Sequence, residues 1–166
     1  MSRTRMMIIA ALMAAIAAIF QLLPVLLSEF AVLLTIASAL PIYCSSRIKP
    51  LAGILSYLVA AFLIMLFSTH EGLFFLCSNG MIGLSLGVCR YYKQKKLNIL
   101  LISSFCTTLS LSIMNYGIGI PVFGTSLPGN LVMQLSIIYT FLLVYNFIYL
   151  LMADSIYKRL EHSEII

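Results

Sequence analysis

Residues 131–152 read LVMQLSIIYTFLLVYNFIYLLM, an apolar run without one charged side chain. A bilayer core of about 30 Å asks for roughly 20 helical residues at a rise of 1.5 Å each, so this run is long enough to cross. Working back toward the N-terminus, five more runs approach or meet that length: Met6 to Leu27, Phe30 to Cys44, Leu51 to Phe67, Leu73 to Val88 and Leu97 to Ile120. The second and fourth are short, so each has to recruit flanking residues, sit in thinned bilayer or fail to cross. The Ala-rich run behind Arg3 and Arg5 also has the outline of a secretory signal, but it exceeds an ordinary signal core and leads at once into further apolar segments. The expectation is an all-α, polytopic membrane protein with six transmembrane helices, forming a single transmembrane domain over residues 1–166.

Composition agrees. Of 166 residues, 62% are hydrophobic and 9% charged, against about 45–50% and about 25% in ordinary soluble domains, and no water-exposed surface can be built from that. Cys44, Cys77, Cys89 and Cys106 are scattered through apolar runs without CxxC spacing or a partnering His pair, so neither a zinc site nor a disulfide framework is expected. The formal net charge is +5, yet its basic residues sit in short clusters beside apolar runs. That is how juxtamembrane charges are placed, and no nucleic-acid partner is expected.

Those clusters set the topology. With six spans, Arg3, Arg5, Arg47, Lys49, Arg90, Lys93, Lys95, Lys96, Lys158 and Arg159 all fall on one side, and Glu29, His70 and Glu71 on the other. Basic residues near span ends stay on the cytoplasmic side, so both termini are expected in the cytoplasm. A re-entrant second segment would instead set Arg3 and Arg5 across the membrane from the remaining basic residues.

Polar side chains inside apolar spans carry the functional information, because an unpaired amide in lipid costs several kcal/mol on the harsher transfer scales. They are Gln21, Asn79, Asn115, Gln134 and Asn146. Any one of them is explained by a bond to a neighbouring helix. Asn79, Asn115, Tyr116 and Gln134, however, fall toward the same ends of spans four, five and six, with Glu71 in the adjoining loop. These five are the expected substrate-binding residues of a pocket open to the outside. Above it runs Gly117 to Asn130, whose glycines and prolines disfavour a helix; it is either a roof over the pocket or a solvated connection. His70 beside Glu71 reads as a solvated loop pair, and Asp154 with Lys158 as an i, i+4 pair at the end of span six.

Small residues mark close helix approach. Span one carries two rows, Ala10, Ala14, Ala18 and Ala11, Ala15, and span four carries Gly80, Gly83 and Gly87. Each suits either internal packing or, for the Ala rows, docking of a partner membrane protein. Catalytic motifs are missing: the chain has no HExxH, no GxSxG, no P-loop and no paired intramembrane carboxylates, so no enzyme, cofactor or metal is expected. A proton- or sodium-driven carrier would place an ionisable group mid-membrane, and none is seen.

Two stretches then resemble a known group. Arg5 followed by Met6-Met7-Ile8-Ile9-Ala10-Ala11-Leu12-Met13-Ala14-Ala15, and Phe75-Leu76-Cys77-Ser78-Asn79-Gly80-Met81-Ile82-Gly83-Leu84-Ser85-Leu86-Gly87 closed by Arg90 and Lys93, look like the first and fourth spans of the substrate-binding S-components of energy-coupling factor (ECF) vitamin transporters. The resemblance implies an S-component-like bundle in a bacterial cytoplasmic membrane. Its partners would be a shared ECF transmembrane subunit, docked on the Ala-rich face, and two ATPase subunits that supply the energy. It also implies capture of a vitamin or related micronutrient. The chain has no Trp, so it lacks the indole stacking of some thiamin binders. Two other readings stand beside this one: a small envelope scaffold similar in span count to the MreD cell-shape proteins, and a self-contained small-solute carrier or channel.

Overall fold

The computed structural model describes residues 3–27, 32–120 and 129–162, and among these no strand forms. Eight helices follow in order: α1 Arg3–Leu27, α2 Val32–Thr35, α3 Ala39–Ile48, α4 Pro50–Phe67, α5 Thr69–Cys77, α6 Asn79–Tyr91, α7 Lys96–Ser112 and α8 Leu131–His162. Among the described residues, five stretches are long and apolar enough to cross a membrane, namely Arg3–Val25, Pro50–Phe67, Thr69–Tyr91, Lys96–Ile118 and Leu131–Arg159. The chain is a multi-pass, all-helical membrane protein.

The two short runs resolve differently. Ser68 accepts the Glu71 amide at 3.3 Å and so caps a helix that starts at Thr69. Thr69, His70 and Glu71 are thus the first turn of α5 and not a loop, which lengthens the fourth run at that end. The second becomes Leu33–Ile48, about 24 Å at 1.5 Å per residue and still short of a hydrocarbon core. Both runs are interrupted. A 3-10 turn, Ile36–Ser38, joins α2 to α3, and Ser78, at φ −118° and ψ −98°, separates α5 from α6.

At the centre lies α3, packed against α1, α4 and α6, with Pro41 through Ser46 all buried. Its approach to α6 depends on missing side chains. A Cβ on Gly83 would stand 2.3 Å from the Ala39 carbonyl oxygen, and one on Gly87 2.7 Å from that of Tyr43. The Gly83/Gly87 pair is therefore a helix-packing surface. On α1, the row Ala10, Ala14, Ala18 is buried against Ala52, Ala60 and Ala61 of α4, whereas Ala11 and Ala15 are exposed. Ser45, Ser46 and Ser56 return their hydroxyls to carbonyls one turn back in their own helices, as a medium without water requires.

At the basic end, Asp154 does not pair with Lys158 as expected. Its carboxylate bridges Arg47 of α3, at 2.9 Å, and Arg90 of α6, and it accepts the Tyr43 hydroxyl at 2.5 Å. The Arg47 guanidinium also lies 3.9 Å from the centre of the Tyr157 ring. Packing of α8 beside α3 brings these groups together, and three helices are fastened at one acid.

Candidate functional site

Interrupting a helix frees backbone carbonyls, and in lipid each of them needs a donor. Here all but one of the donors come from other helices. The Thr35 carbonyl accepts the Ser38 hydroxyl at 2.6 Å and Asn79 Nδ2 at 3.0 Å. The Ile36 carbonyl accepts the Tyr149 hydroxyl at 3.3 Å, and Leu76, one turn before the Ser78 break, accepts that of Tyr57 at 2.9 Å. The two breaks thus face each other and are tied together by Asn79.

The first helix completes the knot. Gln21, on α1, donates from Nε2 to Glu71 Oε2 at 2.9 Å. Its Oε1 accepts both the Ser38 hydroxyl at 2.9 Å and Asn79 Nδ2 at 3.2 Å. Gln21 is 1% exposed and Asn79 5%, so the arrangement sits inside the bundle. Beside it opens a cavity of about 240 Å³. Thr35, Ser78 and Asn79 form its polar edge; Phe74, Ile82, Leu111, Ile138, Phe141 and Tyr145 form its apolar walls.

Of the expected site residues, the structure brings Glu71 and Asn79 together through Gln21. Tyr116 and Gln134 lie elsewhere. The Tyr116 hydroxyl donates to Gln134 Oε1, and Gln134 Nε2 donates to the Gly129 carbonyl at 3.1 Å, on exposed surface. Asn115 is half-buried in the wide turn Ile113–Ile118 that ends α7. Among the described residues, Asn79 borders one cavity and Tyr116 another, and neither of these two takes in all five. Glu29 and, within the expected roof, residues 121–128 lie outside the described residues.

The gap between α7 and α8 is the larger space, about 860 Å³, lined by Phe105, Leu109, Tyr116, Leu135 and Tyr139 among others. Its serine and threonine hydroxyls are committed to their own helices, Thr108 to Ser104, Ser112 to Thr108 and Ser136 to Val132, and the Tyr116 hydroxyl to Gln134 of α8. What remains is apolar and open, a surface suited to lipid tails. The smaller cavity is the better candidate, since ligand sites combine apolar walls with a few convergent polar groups.

Sequence reasoning counted Gln21 among the intramembrane amides without assigning it to the site. Its signal was present: Gln21 continues the Ala14, Ala18 row at i+3 and so shares the buried face of α1. Thr35, Ser38 and Tyr145 carried no comparable signal. No family model, curated protein or solved structure matches the chain.

Proposed function

We propose that this chain is the substrate-binding membrane subunit of a multi-component importer, of the kind represented by the ECF S-components, and that it holds its small-molecule substrate in the cavity beside Asn79. The observation that carries the reading is the meeting of two interrupted spans around a buried amide cluster next to that cavity. Interrupted helices that turn backbone and amide groups toward an internal space are the recurring construction of solute sites inside membranes. A protein needing only partner faces has no use for such a site.

In this reading the chain spans a bacterial cytoplasmic membrane six times, with both termini and all ten basic residues inside and Glu71 toward the outside. Energy comes from partner ATPases through a shared transmembrane subunit, and the chain itself catalyses no reaction. The test is mass spectrometry of the small molecules that co-purify with the detergent-solubilised protein. A stoichiometric compound, lost from the Asn79→Leu variant, is expected. An empty protein, together with import unaffected by Asn79→Leu, would move the envelope-scaffold reading to first place.

A further inference from the structure

We propose that the cavity accepts an uncharged, flat compound of one or two fused rings that presents an N–H or O–H donor to Asn79 Oδ1. This rests on the substrate-binding reading above and deepens it.

The polarity of the amide cluster fixes which atom is offered. A backbone carbonyl only accepts hydrogen bonds, so the Thr35 carbonyl holds Asn79 Nδ2 turned toward it. The same Nδ2 also meets Gln21, which must therefore present its acceptor, Oε1, and this oxygen takes the Ser38 hydroxyl as well. Gln21 Nε2 is left to donate to Glu71 Oε2. With its amide hydrogens committed, Asn79 can offer the cavity only Oδ1. Among the described residues that oxygen is met by Ser78 Oγ alone, at 3.5 Å, the outer limit for a hydrogen bond.

The walls choose the shape. Phe74 faces the cavity from α5, and Phe141 and Tyr145 face it from α8. The Phe141 and Tyr145 rings are stacked, 6.2 Å apart and 24° from parallel, and Tyr149 continues the stack at 6.0 Å and 17°. Such a fixed aromatic face favours a flat partner. Among the described residues the lining contains no Lys, Arg, His, Asp or Glu, so an ion placed there would lose its hydration without gaining a counter-charge from them. As for size, an apolar cavity of about 150 Å³ holds benzene, and the space here is about 240 Å³.

The chain has no Trp, so indole fluorescence excited beyond the tyrosine absorption band can be read apart from the chain's own emission. The experiment titrates 3-methylindole and 1-methylindole into the full-length protein in lipid nanodiscs, with empty nanodiscs subtracted. The two probes have the same size and differ in the ring N–H. We expect saturable binding of 3-methylindole, at least tenfold weaker binding of 1-methylindole, and displacement by benzamide but not by benzoate. In Asn79→Leu the two probes should bind within twofold of each other. Equal binding of the two in the unaltered protein, or displacement by benzoate as effective as by benzamide, would overturn the ligand class without recourse to any variant. The cavity-filling change Ile138→Phe separates the remaining cases. Should it expel a co-purified compound while 3-methylindole never bound, the class fails and the site stands; should it leave 3-methylindole binding unchanged, the site itself fails.

Discussion

At the scale of single residues, the two polar knots make opposite demands on the chain. Gln21 joins Glu71, Ser38 and Asn79 through three hydrogen bonds. Bonds of this kind between membrane helices contribute on average about 0.6 kcal/mol each, so Gln21→Leu should cost roughly 2 kcal/mol. Unfolding in mixed micelles would measure it, and a change below about 0.5 kcal/mol would mean that the amides find other partners. Asp154 is different because it is an acid between two arginines. Its side chain is 15% exposed and those of Arg47 and Arg90 are 23% and 22%. Removing one partner of a fully buried pair costs about 3–5 kcal/mol, and partial exposure lowers that, so about 2–3 kcal/mol is expected for Asp154→Asn. Asp154→Glu should recover part of the loss; thermal melting in detergent would rank the three proteins, and equal melting temperatures would show that solvent already meets the arginines.

At the scale of elements, the helices were legible and their interruptions were not. A bilayer imposes long apolar runs on any helix that crosses it, and this made Pro50–Phe67 and Leu131–Arg159 readable from composition alone. The breaks at Ile36–Ser38 and Ser78 contain neither Gly nor Pro. They are set by partners far along the chain, Asn79 on the Thr35 carbonyl and Tyr57 on that of Leu76, and no local pattern announces them. The site was half legible for the same reason: an amide in an apolar run marks itself, but the helix it will meet is chosen by packing. Where packing depends on glycine, the consequence can be tested. A Cβ at Gly83 would lie 2.3 Å from the backbone of α3, whereas the nearest atom to one at Gly117 is 3.7 Å away. Gly83→Ala should therefore destabilise the protein by about 1–3 kcal/mol, and Gly117→Ala should change stability little. Equal tolerance of the two in a detergent melting assay would contradict the close approach of α3 and α6.

At the scale of the whole molecule, the proposed reading asks which face a partner subunit would dock on. The first helix bears on this by dividing its alanines. Ala14 is fully buried in the contact with α4, so a large side chain there has to push two helices apart. Ala11 and Ala15 lie among exposed apolar residues that include Met7, Ile8, Leu12 and Ile19. An exposed row of small residues at i, i+4 spacing lets another helix come close, and none of the described residues covers it. Ala14→Trp is accordingly expected to lower the yield of folded protein sharply. Ala11→Trp should leave the isolated protein monodisperse and its ligand retention intact, while it reduces co-purification with a transmembrane partner by tenfold or more. Size-exclusion chromatography, ligand retention and pull-down on the same preparations would separate these effects. If Ala11→Trp left co-purification unchanged, the exposed row would be a lipid-facing surface, and the docking face would have to be sought on another helix.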